Sequence, residues 1–215
     1  MILAVDGPAA AGKGTLAARL AQHYGLAHLE TGALYRATAL EAVLSGGDPA
    51  DPAVATEAAK RVTPEHLGDR RLREEQVTQF SSVVAAFPCV RAALLAFQRD
   101  FATRPPGNRR GAVLDGRDIG TVVCPEADAK IFVTASAEAR ARRRFKELRE
   151  KGVEAIYERV LQDMKDRDAR DSGRQAAPLR PASDALVLDT TALDADQAFA
   201  AAIAYIDGKL AGKSL

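Results

Sequence analysis

The sequence has no tryptophan, two cysteines, three histidines and 5% aromatic residues, and its net charge is only +1. Each scarcity excludes something. Cys89 and Cys124 cannot build a disulfide framework or a zinc site by themselves, and both read as small buried apolar residues. His23, His28 and His66 show no ligand spacing to one another or to a cysteine, so nothing supports a transition-metal site or a histidine-based triad. So few aromatic rings leave stacking platforms for nucleic acid scarce. No stretch approaches the ~18 continuous apolar residues that a membrane span requires. With no signal peptide ahead of the first apolar run and no disulfide framework, the expectation is a cytoplasmic protein without membrane or nucleic-acid partners. No Asn-Lys-x-Asp segment occurs, which argues against a GTPase.

What is present is a chain of 215 residues, 47% hydrophobic and 27% charged. That length predicts one domain with a small insertion, large enough to fold without a staple. The near-zero net charge hides a partition. Between Arg140 and Arg180 stand 13 basic and 8 acidic residues, a local +5, against 17 basic and 21 acidic elsewhere, or −4. Arginine outnumbers lysine by 22 to 8. Genome base composition is one explanation. A need for planar, forked, permanently charged phosphate donors is the other.

The run Ile2-Leu3-Ala4-Val5 reads as a buried parallel strand, and a glycine-rich turn follows from Gly7 to Gly14. Thr15 to Tyr24 has helical spacing, Ala27-His28-Leu29 reads as a second strand, and Ala33 to Leu44 as a second helix. Residues 46–80 carry turn signals and charge but little β-branched alternation, so short helices and loops are expected there. A helix is expected over Val83 to Phe101, interrupted or started near Pro88. Further strands are expected at Ala112–Leu114, Lys130–Thr134 and Ala185–Leu188, and further helices at Ala137–Lys151, Val153–Asp171 and Ala195–Leu210. Strands alternating with helices predict an α/β fold, a five-stranded parallel sheet with helices on both faces and ligands beyond the carboxyl ends of its strands.

The strongest local signal is Gly7-Pro8-Ala9-Ala10-Ala11-Gly12-Lys13-Gly14-Thr15. Glycines let successive N–H groups point inward, and the following helix presents its positive end to the same place. Lys13 adds a mobile charge for the β- and γ-phosphates, and Thr15 can reach a magnesium ion. Because the loop follows a strand and opens a helix, it reads as a phosphate-binding loop. Leu114-Asp115 closes a strand at the same sheet edge, where Asp115 can organise Mg2+, directly or through water. A turn aspartate before glycine is the alternative. Arg117 would project into the same crevice and clamp a phosphate.

The Gly-Lys-Gly-Thr variant resembles the P-loop of nucleoside monophosphate kinases. Thr31-Gly32-Ala33-Leu34-Tyr35-Arg36, Phe87-Pro88-Cys89-Val90-Arg91, Asp115-Gly116-Arg117-Asp118-Ile119-Gly120-Thr121 and Arg167-Asp168-Ala169-Arg170-Asp171 resemble bacterial cytidylate kinase, as do Ala177-Pro178-Leu179 and Asp189-Thr190-Thr191. The resemblance covers nearly the whole chain, in order. It implies a P-loop NTPase three-layer fold with a core (1–36, 82–139, 175–215), an acceptor-binding insertion (37–81) and a helical lid (140–174). It also implies ATP-dependent phosphorylation of CMP, and of dCMP, by a monomer using Mg2+. Another acceptor, UMP or AMP, is the nearest alternative, and a non-catalytic ATP-binding module the next. Glu30 stands where the family pattern has Asp, and the insertion is short.

By this resemblance Lys13, Arg117 and Asp115 carry catalysis, and Gly7, Ala9, Ala10, Ala11, Gly12, Lys13, Gly14 and Thr15 hold ATP. Asp118 joins Ser82 and Arg91 on the cytosine edge, where a carboxylate accepts from the exocyclic amine while arginine and serine donate to the acceptors. Uracil would meet that carboxylate with a carbonyl. Thr31 and Arg36 fall in the acceptor pocket, Arg36 on its phosphate. Arg140 and Arg144, with Arg143, become lid contacts to ATP; a solvated face paired with Glu147 and Glu150 is the plainer reading. Asp171 is carried over to the CMP ribose and Arg167 and Arg174 to phosphate, an i,i+4 ion-pair ladder being the alternative. No strong general base is needed, because phosphoryl transfer is eased by in-line positioning and charge neutralisation.

Overall fold

The computed structural model describes residues 1–212. Positions 213–215, the end of the expected core segment, lie outside the described residues. The chain divides into two units, Met1–Leu29 with Ala102–Leu215, and Glu30–Phe101.

The first unit is built on a five-stranded parallel sheet. Its strands are β1 (Ile2–Asp6), β2 (Ala27–Glu30), β3 (Ala112–Gly116), β4 (Ala129–Thr134) and β5 (Leu186–Asp189), in the order β2-β3-β1-β4-β5. β1 is central, in parallel register with β3 (Val5 opposite Asp115) and with β4 (Asp6 opposite Phe132). That register brings Asp6 and Asp115 to the same carboxyl edge, where open α/β sheets bind ligands. Leu3, Val5, Val113, Ile131 and Val133 bury against Leu16 and Leu20 of α1 (Lys13–Tyr24). Ala198, Ala202 and Ile206 of the carboxyl-terminal helix, Ala195–Ala211, join the same core. That helix starts at a capping box in which Asp194 accepts from the Asp196 and Gln197 amides.

Helices α2 (Thr31–Leu44), α3 (Pro52–Lys60), α4 (Glu75–Val84) and most of α5 (Pro88–Thr103) make the second unit. Residues 46–80 hold no strand: α3, two single 3-10 turns (Pro64–Gly68 and Arg70–Arg73) and the start of α4 occupy them, as the turn signals predict. Asp51 caps α3 by accepting from the Ala53 and Val54 amides, with Pro52 at the first helical position. Pro88 likewise opens α5, which starts five residues later than Val83; Val83 belongs to α4.

In the first unit, α6 (Ala137–Glu150) and α7 (Tyr157–Ser172) pair around Ala141, Leu148, Val160 and Met164. α7 begins four residues beyond the expected Val153, because Gly152 takes φ +72° and Ile156 is still extended. The last helix is α8, and no single helix among the described residues is long and apolar enough to cross a membrane. One element had no precedent in the sequence pattern: a π-helical turn over Ile119–Val123, where the Asp118 carbonyl accepts from both Val122 and Val123.

Candidate active site

The glycine-rich loop leaves β1 at Asp6 and enters α1 at Lys13. Gly7 has φ +150°, and a Cβ there would lie 2.0 Å from the Val133 carbonyl oxygen, so only glycine lets the loop pass β4 so closely. Ala10 (φ +56°) and Gly12 (φ +91°) also take positive φ. Gly12 stands at the N-cap of α1 with no side-chain cap, which leaves amides of the first turn to an anion. Ala9, Ala10 and Gly14 are half-buried and Ala11 is buried. Lys13 Nζ donates to the Pro8 carbonyl at 3.4 Å, and Thr15 is exposed at the start of the helix.

Asp6 ties this loop to the segment after β3. Its carboxylate accepts from the Ile119 amide (2.7 Å) and the Gly120 amide (2.8 Å). Burial pushes the Asp6 carboxyl up to about 7, with nearby Asp118 adding to the rise and the two amides and Arg117 opposing it. Asp115, 2% exposed, accepts or shares a hydrogen bond with His28 Nε2 at 2.8 Å. Asp118 is buried at the head of the π-helical turn.

Arg117 and the end of α7 form one ionic cluster. Arg117 Nε donates to Asp171 Oδ2 at 2.8 Å, and Arg174 Nη2 donates to Asp171 Oδ1. Burial works to raise the Asp171 carboxyl, but Arg117, Arg174 and Arg167 outweigh it and hold it below the ordinary carboxylate value. Three of the arginines assigned to phosphate thus act on a single buried carboxylate.

The α6 arginines diverge instead of sharing one face. Arg140, 5% exposed, makes a two-pronged pair with Asp168 of α7. Arg143 donates to the Thr190 hydroxyl and carbonyl. Arg144 pairs with Glu147 at 2.9 Å, the plainer arrangement.

In the second unit, Thr31 is buried at the start of α2, and Arg36 Nη2 donates to Glu30 at 2.8 Å while its Nε is buried without a hydrogen-bond partner. Ser82, also buried, donates to the Gln79 carbonyl. Arg91 donates to the Ala85 carbonyl and lies over the Tyr35 ring, 5.3 Å from its centroid.

The sequence profile of the family described as cytidylate kinase matches residues 3–208. The chain belongs to the cytidylate kinase family. It is 60% identical over 208 residues to a cytidylate kinase of Paramagnetospirillum magneticum, covering 97% of this chain and 98% of that one. The cytidylate kinase of Xanthobacter autotrophicus is 54% identical, with 99% and 100% covered. Among solved structures, an uncharacterized protein from Eubacterium ventriosum superposes with a TM-score of 0.55 at 16% identity, over 96% of this chain and 98% of that one, a likeness of fold alone.

The ion that the cytidylate kinase family implies, Mg2+, can be tested against the side chains present. Among the described residues no group of three His, Cys, Asp or Glu side chains gathers as for a protein-held metal. Thr15 offers one exposed hydroxyl, and Asp115 one carboxylate engaged by His28. That sparse oxygen set fits an Mg2+ held mostly by phosphate and water, as is usual for this ion.

Four contributors escape the sequence reading. Asp6 carried a signal, a carboxylate closing an apolar strand directly before glycine. Asp168 and Thr190 lay inside segments carrying the family resemblance, yet nothing in their spacing reveals partners 28 and 47 residues away. His28 gave none, because its partner Asp115 comes from a different strand.

Proposed function

We propose that this protein transfers the terminal phosphoryl group of ATP to CMP, and to dCMP, yielding ADP and the nucleoside diphosphate. The observation that carries the reading is the pairing, in one unit, of a phosphate loop with Arg117 and Arg174 gathered on Asp171. A P-loop alone fits any ATP binder. Arginines set beside it and balanced on a displaceable carboxylate suit a protein that must also take up an anionic acceptor.

In this reading Gly7 to Thr15 cradle the ATP phosphates through backbone N–H groups, and Lys13 neutralises charge on the moving phosphoryl group. Acceptor recognition is assigned to Arg117, Asp118, Arg167, Asp171 and Arg174 in the first unit and to Thr31, Arg36, Ser82 and Arg91 in the second. The unpartnered Arg36 Nε supports its assignment to phosphate, since a buried N–H left without an acceptor is costly until a ligand supplies one. Thr15 and Asp115 would hold Mg2+, which when bound draws charge from the phosphate oxygens. The acceptor is already a largely ionised monoester, so none of these residues has to be a strong base. Segment 37–81 is read as the acceptor insertion and 140–174 as the lid, which would exclude water as a competing acceptor.

The test is a phosphoryl-transfer assay offering CMP, dCMP, UMP and AMP at equal concentration with Mg-ATP. CMP and dCMP should be turned over with the highest kcat/KM. A clear preference for UMP or AMP overturns the base assignment, and ATP binding without transfer to any of the four overturns the kinase reading.

A further inference from the structure

Two of the arginines expected to face ATP are directed at the back of the phosphate loop. Arg140 spends one N–H of Nε on the Ala135 carbonyl (2.9 Å). Both of Nη1 go to the Ala9 carbonyl (3.3 Å) and Asp168 (3.1 Å), and one of Nη2 goes to Asp168 again. Four of the five guanidinium donors are therefore in use. Arg143 donates Nη1 to the Thr190 hydroxyl, and that hydroxyl lies 3.0 Å from the Ala11 carbonyl and 3.1 Å from the Thr134 carbonyl. The Thr190 amide already donates to Thr134 at 2.8 Å, so the hydroxyl proton is best used on Ala11. Ala9 and Ala10 also pack on the apolar seam between α6 and α7.

We propose that Arg140, clamped by Asp168, and Thr190, braced by Arg143, are positioning residues that fix the Ala9 and Ala11 carbonyls and so aim the loop's N–H groups at phosphate. The reason is peptide geometry. In a trans peptide the C=O and the next N–H point in opposite directions, so holding the Ala9 oxygen directs the Ala10 N–H forward, and holding the Ala11 oxygen directs that of Gly12. Between these two fixed peptides stands Ala10 at φ +56°, a left-handed conformation unfavourable for an alanine that persists only where its surroundings over-determine it. The brace supplies that determination from the side opposite the ligand. The inference rests on the reading of Gly7–Thr15 as the ATP loop.

The two roles for Arg140 predict opposite signs. Were it a phosphate ligand restrained by Asp168, then Asp168→Asn would release it and tighten ATP. As a positioning residue held by Asp168, it loses its orientation, and ATP weakens. Binding of ATP and ADP to the full chain without acceptor, measured by titration calorimetry, separates them. Asp168→Asn is expected to weaken both nucleotides about tenfold, the scale of a lost charged hydrogen bond. Thr190→Val should weaken both about fivefold, with Thr190→Ser restoring them. The amide resonances of Ala10 and Gly12 should shift in Thr190→Val and return to their wild-type positions in Thr190→Ser. Tighter ATP binding by Asp168→Asn, or wild-type affinities and amide shifts in Thr190→Val, overturns the proposal. If Asp168→Asn does not fold, the Thr190 pair decides. A wild-type protein that binds neither nucleotide refutes the ATP reading instead.

Discussion

The glycine-rich loop and the end of α7, both proposed here as anion sites, are prepared in opposite ways. At the loop the positive field comes from backbone amides and one lysine, and the nearby buried carboxylate, Asp6, meets two amide donors, the like charge of Asp118 and only one arginine. Its carboxyl is pushed up to about 7. At the end of α7 the field comes from guanidinium groups, and the equally buried Asp171 lies among three of them and is held below its ordinary value. Burial is the first influence on both carboxyls, so it does not separate them. Full cationic charges do. An amide cradle stands ready without a counterion because its donors are partial charges. Arginines cannot be stored bare in a buried place, and Asp171 balances these.

The sharpest way to break this comparison is Asp171→Asn. Arg117 and Arg174 would then share no carboxylate, and removing one partner of a buried ion pair costs about 3 kcal/mol of folding free energy. Urea unfolding at pH 7 should show that loss, and stability within about 0.5 kcal/mol of wild type would mean the cluster is not an electrostatic store. The sign with pH is fixed as well. A depressed folded value means that Asp171 contributes stability above its unfolded value near 4 and loses it as pH falls through the lower folded value, so the variant should lack that part of acid sensitivity. Lys13→Ala is the counterpart at the loop. It should lower kcat about 100-fold through lost charge stabilisation while moving stability by no more than about 0.5 kcal/mol. A stability loss matching that of Asp171→Asn would erase the contrast.

The sequence shows the loop far better than it shows the cluster. Gly7 to Thr15 is contiguous and its chemistry is backbone chemistry, so the motif is legible even though Val133, Arg140 and Thr190, which flank it in space, are remote in the chain. The strands are legible too, as apolar runs closed by Asp6 and Asp115. The α6 arginines are different. Spacing of three and four residues puts Arg140, Arg143 and Arg144 near one face, but which acceptor each takes depends on Asp168, Thr190 and Glu147, and two of those lie beyond the helix. Charge patterns along one helix cannot report a partner brought in by a crossover. The π-helical turn at Ile119–Val123 was hidden for a similar reason. It is stabilised by the remote Asp6 carboxylate and not by local propensity.

The smallest expected effect concerns that carboxylate. Asp6 has a folded value near 7 against an ordinary 3.8. Its contribution to stability is complete below about pH 4 and is lost as pH rises towards and through 7, the reverse of Asp171. Between pH 6 and pH 7 the loss amounts to about 1 kcal/mol. Asp6→Asn replaces the titrating group with one of the same shape, so its unfolding free energy should fall less steeply over that interval, whatever its absolute level. Urea unfolding of both proteins at pH 6 and pH 7 reads the difference in slope directly. Equal slopes would mean that the two amides hold Asp6 ionised throughout, and that amide donors can match guanidinium groups in keeping a buried carboxylate charged.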